Sequence, residues 1–481
     1  MRNGVVGWLA NRVAARAKAG SRLARRALVA SFLAAALCAP ASAGETGRAT
    51  ASAWPANAIV YGVDLFAFQP NAFTTLTAHL DDLARLGVNT LWLSPIAAAP
   101  PGDFGYAVTD PFQLRADFGS KDELHRLVAA AHARGMKIIL DAVVNHLSDE
   151  SSYFTSAGRS GRASPYYDYF ERDAAGAAMH YFDWRNLENL NYRNPAVDRF
   201  IIAAFEHWLR DFDVDGFRVD AAWGPAWRDD AFLPQLTAAL KRIKPDLLLI
   251  AEASARDPYY AKAGFAAAYD WSDQLGRWAW QDAFDHPDET AARLRAAIAA
   301  NADSSALVFR FLENNDTGAR FITRYGLPRT RLAAAMLLTL PGLPALYTGE
   351  EVGAAFEPYG APPAIAWRAH PELRAWYVRL IALRRADPAL RSRAIELLDL
   401  PHPEALLAYL RPGAQGDSVL VLLNYGAQPL SVALPPDIAA SAALDLGDCK
   451  PAAVAASAPQ IAIDGNSVRI LGARDDPACR G

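Results

Sequence analysis

From about residue 57 onward, short apolar runs alternate with longer stretches in which apolar positions recur every three to four residues. AIVYGV (58–63) leads into Leu76, Leu80, Leu83 and Leu86 at helical spacing, closed by Gly87. VNTLWLSP (88–95) precedes a predicted helix around Glu123 to Arg134 that stops at Gly135, and MKIILD (136–141) follows. A polar, aromatic-rich interruption then runs to about Tyr192, after which Pro195 opens a helix carrying Val197, Phe200, Ile201, Phe205, Trp208 and Leu209. DGFRVD (215–220), LLLIAE (247–252), FAAAYD (265–270), ALVFRFLENND (306–316) and LPALYTGEE (343–351) complete eight apolar runs. Repeated strand–helix units predict a parallel sheet, and eight of them predict an α/β chain closed into a (β/α)8 TIM barrel. The boundaries drawn from this pattern put the barrel at 44–146 and 193–389. The interruption after strand three is too long for a barrel connection and reads as an excursion domain over 147–192. Beyond a helix around Leu373 to Arg385 the texture changes. LLAYLR (406–411), SVLVLLNYG (418–426) and PLSVALP (429–435) read as strands joined by turns without helices between them, a C-terminal antiparallel β domain over 390–481.

Composition changes this picture mainly at the N-terminus. The 481 residues are 52% apolar and 21% charged, enough to bury a large core, and the net charge is −4. The first 43 residues carry seven basic side chains and no acidic one, which leaves −11 for the remainder. An acidic body argues against nucleic acid and against an anionic membrane surface as partner. Arg25-Arg26, the apolar stretch Ala27 to Ala39 and Ala41-Ser42-Ala43 form the three parts of a cleavable signal peptide over 1–43. Its apolar stretch of 13 residues falls short of the about 20 that a spanning helix needs. The expectation is export to the periplasm or the medium, with no membrane attachment after cleavage. Cys449 and Cys479 remain, either as one disulfide or as two free thiols.

Catalytic groups of a β/α barrel stand at the C-terminal ends of its strands. Those ends carry Asp141, Asp220, Glu252, Asp270 and Asp316. A single such carboxylate is explained equally well as a helix cap, but five on consecutive strands are not. Alternation along DGFRVD puts Arg218 and Asp220 on the face opposite Phe217 and Val219. With the apolar pair toward the helices, Arg218 and Asp220 face the barrel mouth, where the arginine holds the aspartate ionised, as a nucleophile requires. Glu252 ends an apolar run without a basic residue, so burial favours its protonated form, a proton donor. One ionised and one protonated carboxyl is the retaining-glycosidase arrangement. Asp316 is the third carboxylate, suited to hydrogen bonds that strengthen in an oxocarbenium-like transition state. Tyr61, Phe104, Tyr106, Trp184, Tyr192 and Trp223 are aromatic candidates for stacking on sugar rings.

The motifs resemble those of the α-amylase family of glycoside hydrolases. DAVVNH (141–146), GFRVD (216–220), IAEA (250–253) and FLENND (311–316) are similar to its four signature blocks in order and spacing, with NLENLN (186–191) and GLPALYTGEE (342–351) as supplementary blocks. The resemblance implies a barrel, an excursion domain after strand three and a C-terminal β-sandwich. It implies Asp220 as nucleophile, Glu252 as general acid/base and Asp316 as transition-state stabiliser. It also implies substrate-binding roles for Tyr106, Asp141, His146, Arg218 and Asn315, with α-glucan or maltooligosaccharide as the partner. No cofactor is required. Asn145 is the one residue matching a ligand of a structural calcium ion, but the excursion domain has no dense acidic cluster and no EF-hand-like loop, so that ion stays an open alternative. Three departures stand out. Asn315 replaces a histidine, Phe104 stands where many members place histidine or asparagine, and Ala221-Ala222-Trp223 lacks a Lys-His pair that binds the leaving sugar. The activities implied are hydrolysis of α-glucosidic bonds or, alternatively, glucosyl transfer; an inactive carbohydrate- or partner-binding barrel is the reading from another class. Endo against exo cutting, bond preference and oligomeric state stay open.

Overall fold

The computed structural model describes residues 54–479 apart from Gln281, 361–363, 414–417, 453–458, 474–475 and 477–478. The predicted signal peptide and its cleavage site lie outside the described residues. Eight strands close a parallel barrel: β1 (Val60–Val63), β2 (Thr90–Leu93), β3 (Lys137–Val143), β4 (Gly216–Asp220), β5 (Leu248–Ser254), β6 (Ala267–Tyr269), β7 (Leu307–Phe311) and β8 (Leu343–Tyr347). They follow one another around the ring in chain order, and β8 returns to β1. All eight coincide with the apolar runs of the sequence.

Alternation along each strand separates two cores. Val60, Trp92, Ile139, Ile250, Tyr269 and Phe309 point inward and fill the barrel. Phe217, Val219, Leu249, Ala251 and Ala268 point outward and pack beneath the helices, where Phe217 meets Phe205 with ring centroids 4.6 Å apart. Helix ends follow local chemistry. Ala72–Leu86 stops at Gly87, whose φ of 102° is the left-handed conformation that ends helices. The helix expected around Glu123 to Arg134 runs instead over Lys121–His132, because Ser120 and Glu123 form a reciprocal capping box that starts it earlier. Pro195–Phe212 begins where the proline predicts, with Asn194 accepting from Ala196 N.

After β3, His146–Ser148 pairs with Trp184–Asn189, which pairs with His180–Tyr181, so the excursion's sheet starts at His146. C-terminal to the barrel, strands 396–397, 406–411, 419–424, 467–472, 444–445 and 450–451 form one sheet, and Leu430–Ala433 pairs with Gln460–Ile463 in a second. Leu422, Val432, Ile461 and Leu471 meet in the core of this β domain. Its strands are not joined by turns alone: Pro436–Ser441 is a short helix, entered through a Pro-Pro pair that presets the first turn. Cys449 and Cys479 are disulfide-bonded, with Cα atoms 5.5 Å apart, which settles the two readings in favour of the bridge. Among the described residues no helix is long and apolar enough to cross a membrane.

Candidate active site

The mouth of the barrel is organised around one guanidinium. Arg218 points inward from β4, with its side chain 1% exposed, and four carboxylates surround it. Its Nη1 donates to Asp141 Oδ1 and to Asp220 Oδ1, each at 2.8 Å. Its Nη2 lies 3.1 Å from Glu252 Oε1 and 3.9 Å from Asp316 Oδ2. The register explains the gathering: Asp141 and Ile250 are the neighbours of Arg218 on β3 and β5, which sets Asp141 level with the arginine and Asp220 and Glu252 two positions further along β4 and β5. Asp141 and Glu252 lie within their strands rather than after them. Glu252 is not isolated from basic charge, as its own strand suggested; Arg218 reaches it from β4.

Burial raises both central carboxyls against the pull of Arg218. Asp220 is pushed up to about 7 by desolvation, opposed by the Arg218 charge. Glu252 is raised well above the ordinary carboxyl range, first by desolvation and then by the neighbouring Asp220 and Asp316. Asp220 has the direct Nη1–H bond, so of the two it gives up its proton first. Ala221, directly after Asp220, holds φ at 43°, a conformation unfavourable for a residue with a Cβ, and its N–H donates to Glu252 Oε2 at 2.6 Å.

The other expected residues divide into a sugar-facing group and a supporting group. Tyr106 OH donates to Asp141 Oδ2 at 3.0 Å, so both oxygens of Asp141 are committed within the protein. His146 is committed too. Its Nε2 donates to the Tyr106 carbonyl at 3.1 Å, and its Nδ1 accepts from Asn145 Nδ2 at 3.1 Å. Burial lowers its pKa to about 3, so the ring is neutral. Asp141 and His146 therefore brace Tyr106 from its hydroxyl and its backbone. Asn315 Nδ2 donates to Tyr106 OH at 3.0 Å and to Tyr359 OH, and Tyr359 OH donates to Asp316 Oδ1 at 2.9 Å.

Several expectations need correction. Asp270, the strand-six carboxylate, faces away from this cluster and pairs with Arg310 and Asn301. Alternation puts Tyr269, not Asp270, inside the barrel, and its hydroxyl accepts from Arg218 Nε at 2.9 Å. Counting inward from Ala267 finds Tyr269, and Thr90 likewise leads to Trp92, whose ring lies 5.5 Å from the Arg218 guanidinium. Of the aromatic candidates, Tyr61 and Tyr192 are packing residues; the Tyr61 hydroxyl donates to Glu351 and the Tyr192 hydroxyl to the Val144 carbonyl. Trp184 and Trp223 belong to an aromatic shelf. Trp184 is 59% exposed and stacks on Tyr181 at 5.4 Å, while Trp223 lies 5.7 Å from Tyr181 and 4.7 Å from Trp227.

The position implied for calcium holds a different cation. Asn145 Oδ1 accepts from Arg228 Nη1 at 2.7 Å, and Arg228 Nε donates to Glu171 Oε2 at 2.8 Å. Gly224 permits the approach, since a Cβ there would stand 1.9 Å from Asn145 Oδ1. A divalent ion on that oxygen would lie against a guanidinium, and among the described residues no three His, Cys, Asp or Glu side chains are grouped to hold one. The donors at Asn145 do not fit calcium.

Comparison with known proteins agrees with this architecture. The family model described as "Alpha amylase, catalytic domain" matches residues 72–359. The α-amylase MalA of Haloarcula japonica is 30% identical over 400 residues, 80% of this chain and 58% of that protein. A cyclomaltodextrinase of a Bacillus species is 28% identical over 72% of this chain and 64% of its own length. The chain thus spans about three fifths of these relatives. The crystal structure of the Geobacillus thermoleovorans α-amylase with acarbose shares the fold, with a TM-score of 0.73 at 22% identity over 87% of this chain and 98% of that one. A family match over more than half its length places the chain in the α-amylase family of glycoside hydrolases.

Proposed function

We propose that the protein is a retaining α-glucan hydrolase acting on maltooligosaccharides, chiefly at α-1,4 bonds, through a covalent glucosyl-aspartate. The observation that carries the reading is the single Arg218 guanidinium bridging Asp220 and Glu252. Bridged carboxyls suit the about 5–5.5 Å spacing of retaining enzymes better than the about 6.5–9.5 Å of inverting ones. In the first step Glu252 donates its proton to the glycosidic oxygen, the C1–O bond breaks, and Asp220 forms a bond to C1. Glu252, now ionised, takes a proton from water, whose oxygen attacks C1 and releases Asp220. Asp316 stabilises the flattened ring between these states, Tyr106 supplies a face beneath it, and Asn315 a hydrogen bond. Asp141, His146 and Arg218 hold these groups in position. The aromatic shelf of Tyr181, Trp184 and Trp223, with Trp184 exposed, favours a second reading, in which a sugar replaces water and the product is a transferred glucosyl unit. Export belongs to the proposal, on the N-terminal pattern and the disulfide. Calcium at Asn145 does not. The test is incubation with maltoheptaose: the wild type releases reducing ends, and Asp220→Asn lowers turnover by at least a thousandfold, about 4 kcal/mol of barrel-mouth catalysis. Longer sugars without net reducing ends would favour transfer, and neither product from folded protein would overturn both readings.

A further inference from the structure

The two halves of the barrel mouth differ. On the side of the β1, β2 and β8 loops, a cavity of about 20 Å³, room for about one water, is lined by residues including Asp64, Trp92, Phe104, Tyr106, Asn315 and Tyr359. That is far below the about 300–1,000 Å³ of ligand pockets, so this side of the mouth is nearly closed. On the side of the β6 and β7 loops, a cleft of about 630 Å³ opens past Asp316, lined by residues including Leu275, Trp278 and Thr317. The aromatic shelf of Trp184 and Trp223 flanks the β4 side of the same half. Glu252, on β5, is the proton donor to the leaving sugar, so the leaving chain belongs to the open half. The sugar being cleaved, held by Tyr106, Asn315 and Asp316, has its non-reducing end toward the small cavity.

What bounds that cavity is Tyr359. Its ring meets Phe104 edge-on at 4.9 Å, and Phe104 is backed in turn by Phe66 at 5.3 Å. Its hydroxyl is held at both ends, accepting from Asn315 Nδ2 and donating to Asp316 Oδ1 at 2.9 Å. Tyr359 is 43% exposed and closes this side of the mouth as a wall. Two of the three departures from the family pattern, Phe104 and Asn315, are the residues that seat it. Asparagine supplies a fixed N–H donor to the phenol, and phenylalanine an apolar edge.

We propose that Tyr359, seated by Phe104 and Asn315, walls off the non-reducing end of the site, so that the enzyme is exo-acting and takes the chain ends of maltooligosaccharides. The proposal rests on the hydrolase reading above and assigns its specificity. A chain passing through the site would have to cross the Phe104–Tyr359 contact, whereas a chain end stops short of it and the remainder leaves past Glu252. The test compares maltoheptaose labelled at its reducing end with the same sugar carrying a bulky acetal on its non-reducing glucose. The wild type is expected to cut the uncapped sugar at least tenfold faster than the capped one, and its first labelled product to be shorter by one or two units. Tyr359→Ala is expected to raise the cleavage rate of the capped sugar at least tenfold, and Phe104→Ala to shift it in the same direction. Equal cutting of capped and uncapped sugar by the wild type would overturn the wall while leaving the hydrolase intact. Folded Tyr359→Ala and Phe104→Ala variants that both still spare the capped sugar would also overturn it. Cleavage of neither sugar by folded wild type would overturn the hydrolase reading itself.

Discussion

Four carboxylates around one guanidinium make the protonation of Asp220 and Glu252 the controlling variable at the residue scale. Activity needs Asp220 ionised and Glu252 protonated. The rate constant kcat/KM is therefore expected to rise with pH along an acid limb centred near 7, set by Asp220, and to fall when Glu252 loses its proton. A pH–rate profile on maltoheptaose checks this, and an acid limb near 4 would contradict it. Stability runs the other way. Asp220 is raised from an unfolded value of about 3.9, so the folded state holds its proton more tightly. The stability this contributes is present at low pH and lost as pH rises from about 4 to about 7. Asp220→Asn removes the buried charge, while Asp141 and Glu252 still pair Arg218; its Tm at pH 8 is expected to exceed the wild type's even as turnover disappears. Arg218→Met should do the opposite. It leaves the carboxylates without their cation, and denaturant unfolding is expected to show a loss of about 3–5 kcal/mol.

At the scale of elements, the strands carry the site and the excursion domain braces it. Alternation along β4 was readable from DGFRVD alone, and Arg218 and Asp220 point where that pattern puts them. The same rule applied to β6 selects Tyr269; reading the residue after the run selected Asp270 instead, which faces Arg310. The end of an apolar run does not mark a strand's functional position, because β3 and β5 continue past Asp141 and Glu252. Arg228, on the short helix after β4, ties Asn145 at the end of β3 to Glu171 in the excursion domain. It is expected to do the work of a bound cation there. A chelator should leave the wild type's Tm unchanged. Arg228→Met, which strands the Asn145 and Glu171 oxygens, should lower stability by about 1–3 kcal/mol and raise KM through Asn145, His146 and Tyr106. Calorimetry with and without chelator, alongside kinetics, separates the two contributions. A Tm lowered by chelation would reinstate a metal.

For the whole molecule, barrel and C-terminal domain share packing but divide the labour. The Thr339 and Tyr409 hydroxyls share a hydrogen bond at 2.5 Å, and Arg411 reaches the Thr339 and Ala389 carbonyls from the β domain, so the two cores are continuous. The Cys449–Cys479 bridge closes a loop of 30 residues remote from the barrel mouth. Cys449→Ser is expected to destabilise the β domain by about 2–4 kcal/mol, read as an earlier or separate thermal transition, with kcat on maltoheptaose unchanged. Much of this architecture is written in the chain. Eight apolar runs, their alternation and the glycine and proline punctuation specify the barrel strands and most helix ends, because strand burial and helix capping depend on neighbours in sequence. The carboxylates of the mouth were legible for the same reason. What only the folded chain decides is which groups meet across it: Arg218 touching Glu252 on the next strand, Arg228 at Asn145, and Tyr359 brought to Phe104 and Asn315 from 255 and 44 residues away. Those contacts depend on strand register and loop paths, and no local pattern of hydrophobic and polar residues encodes either.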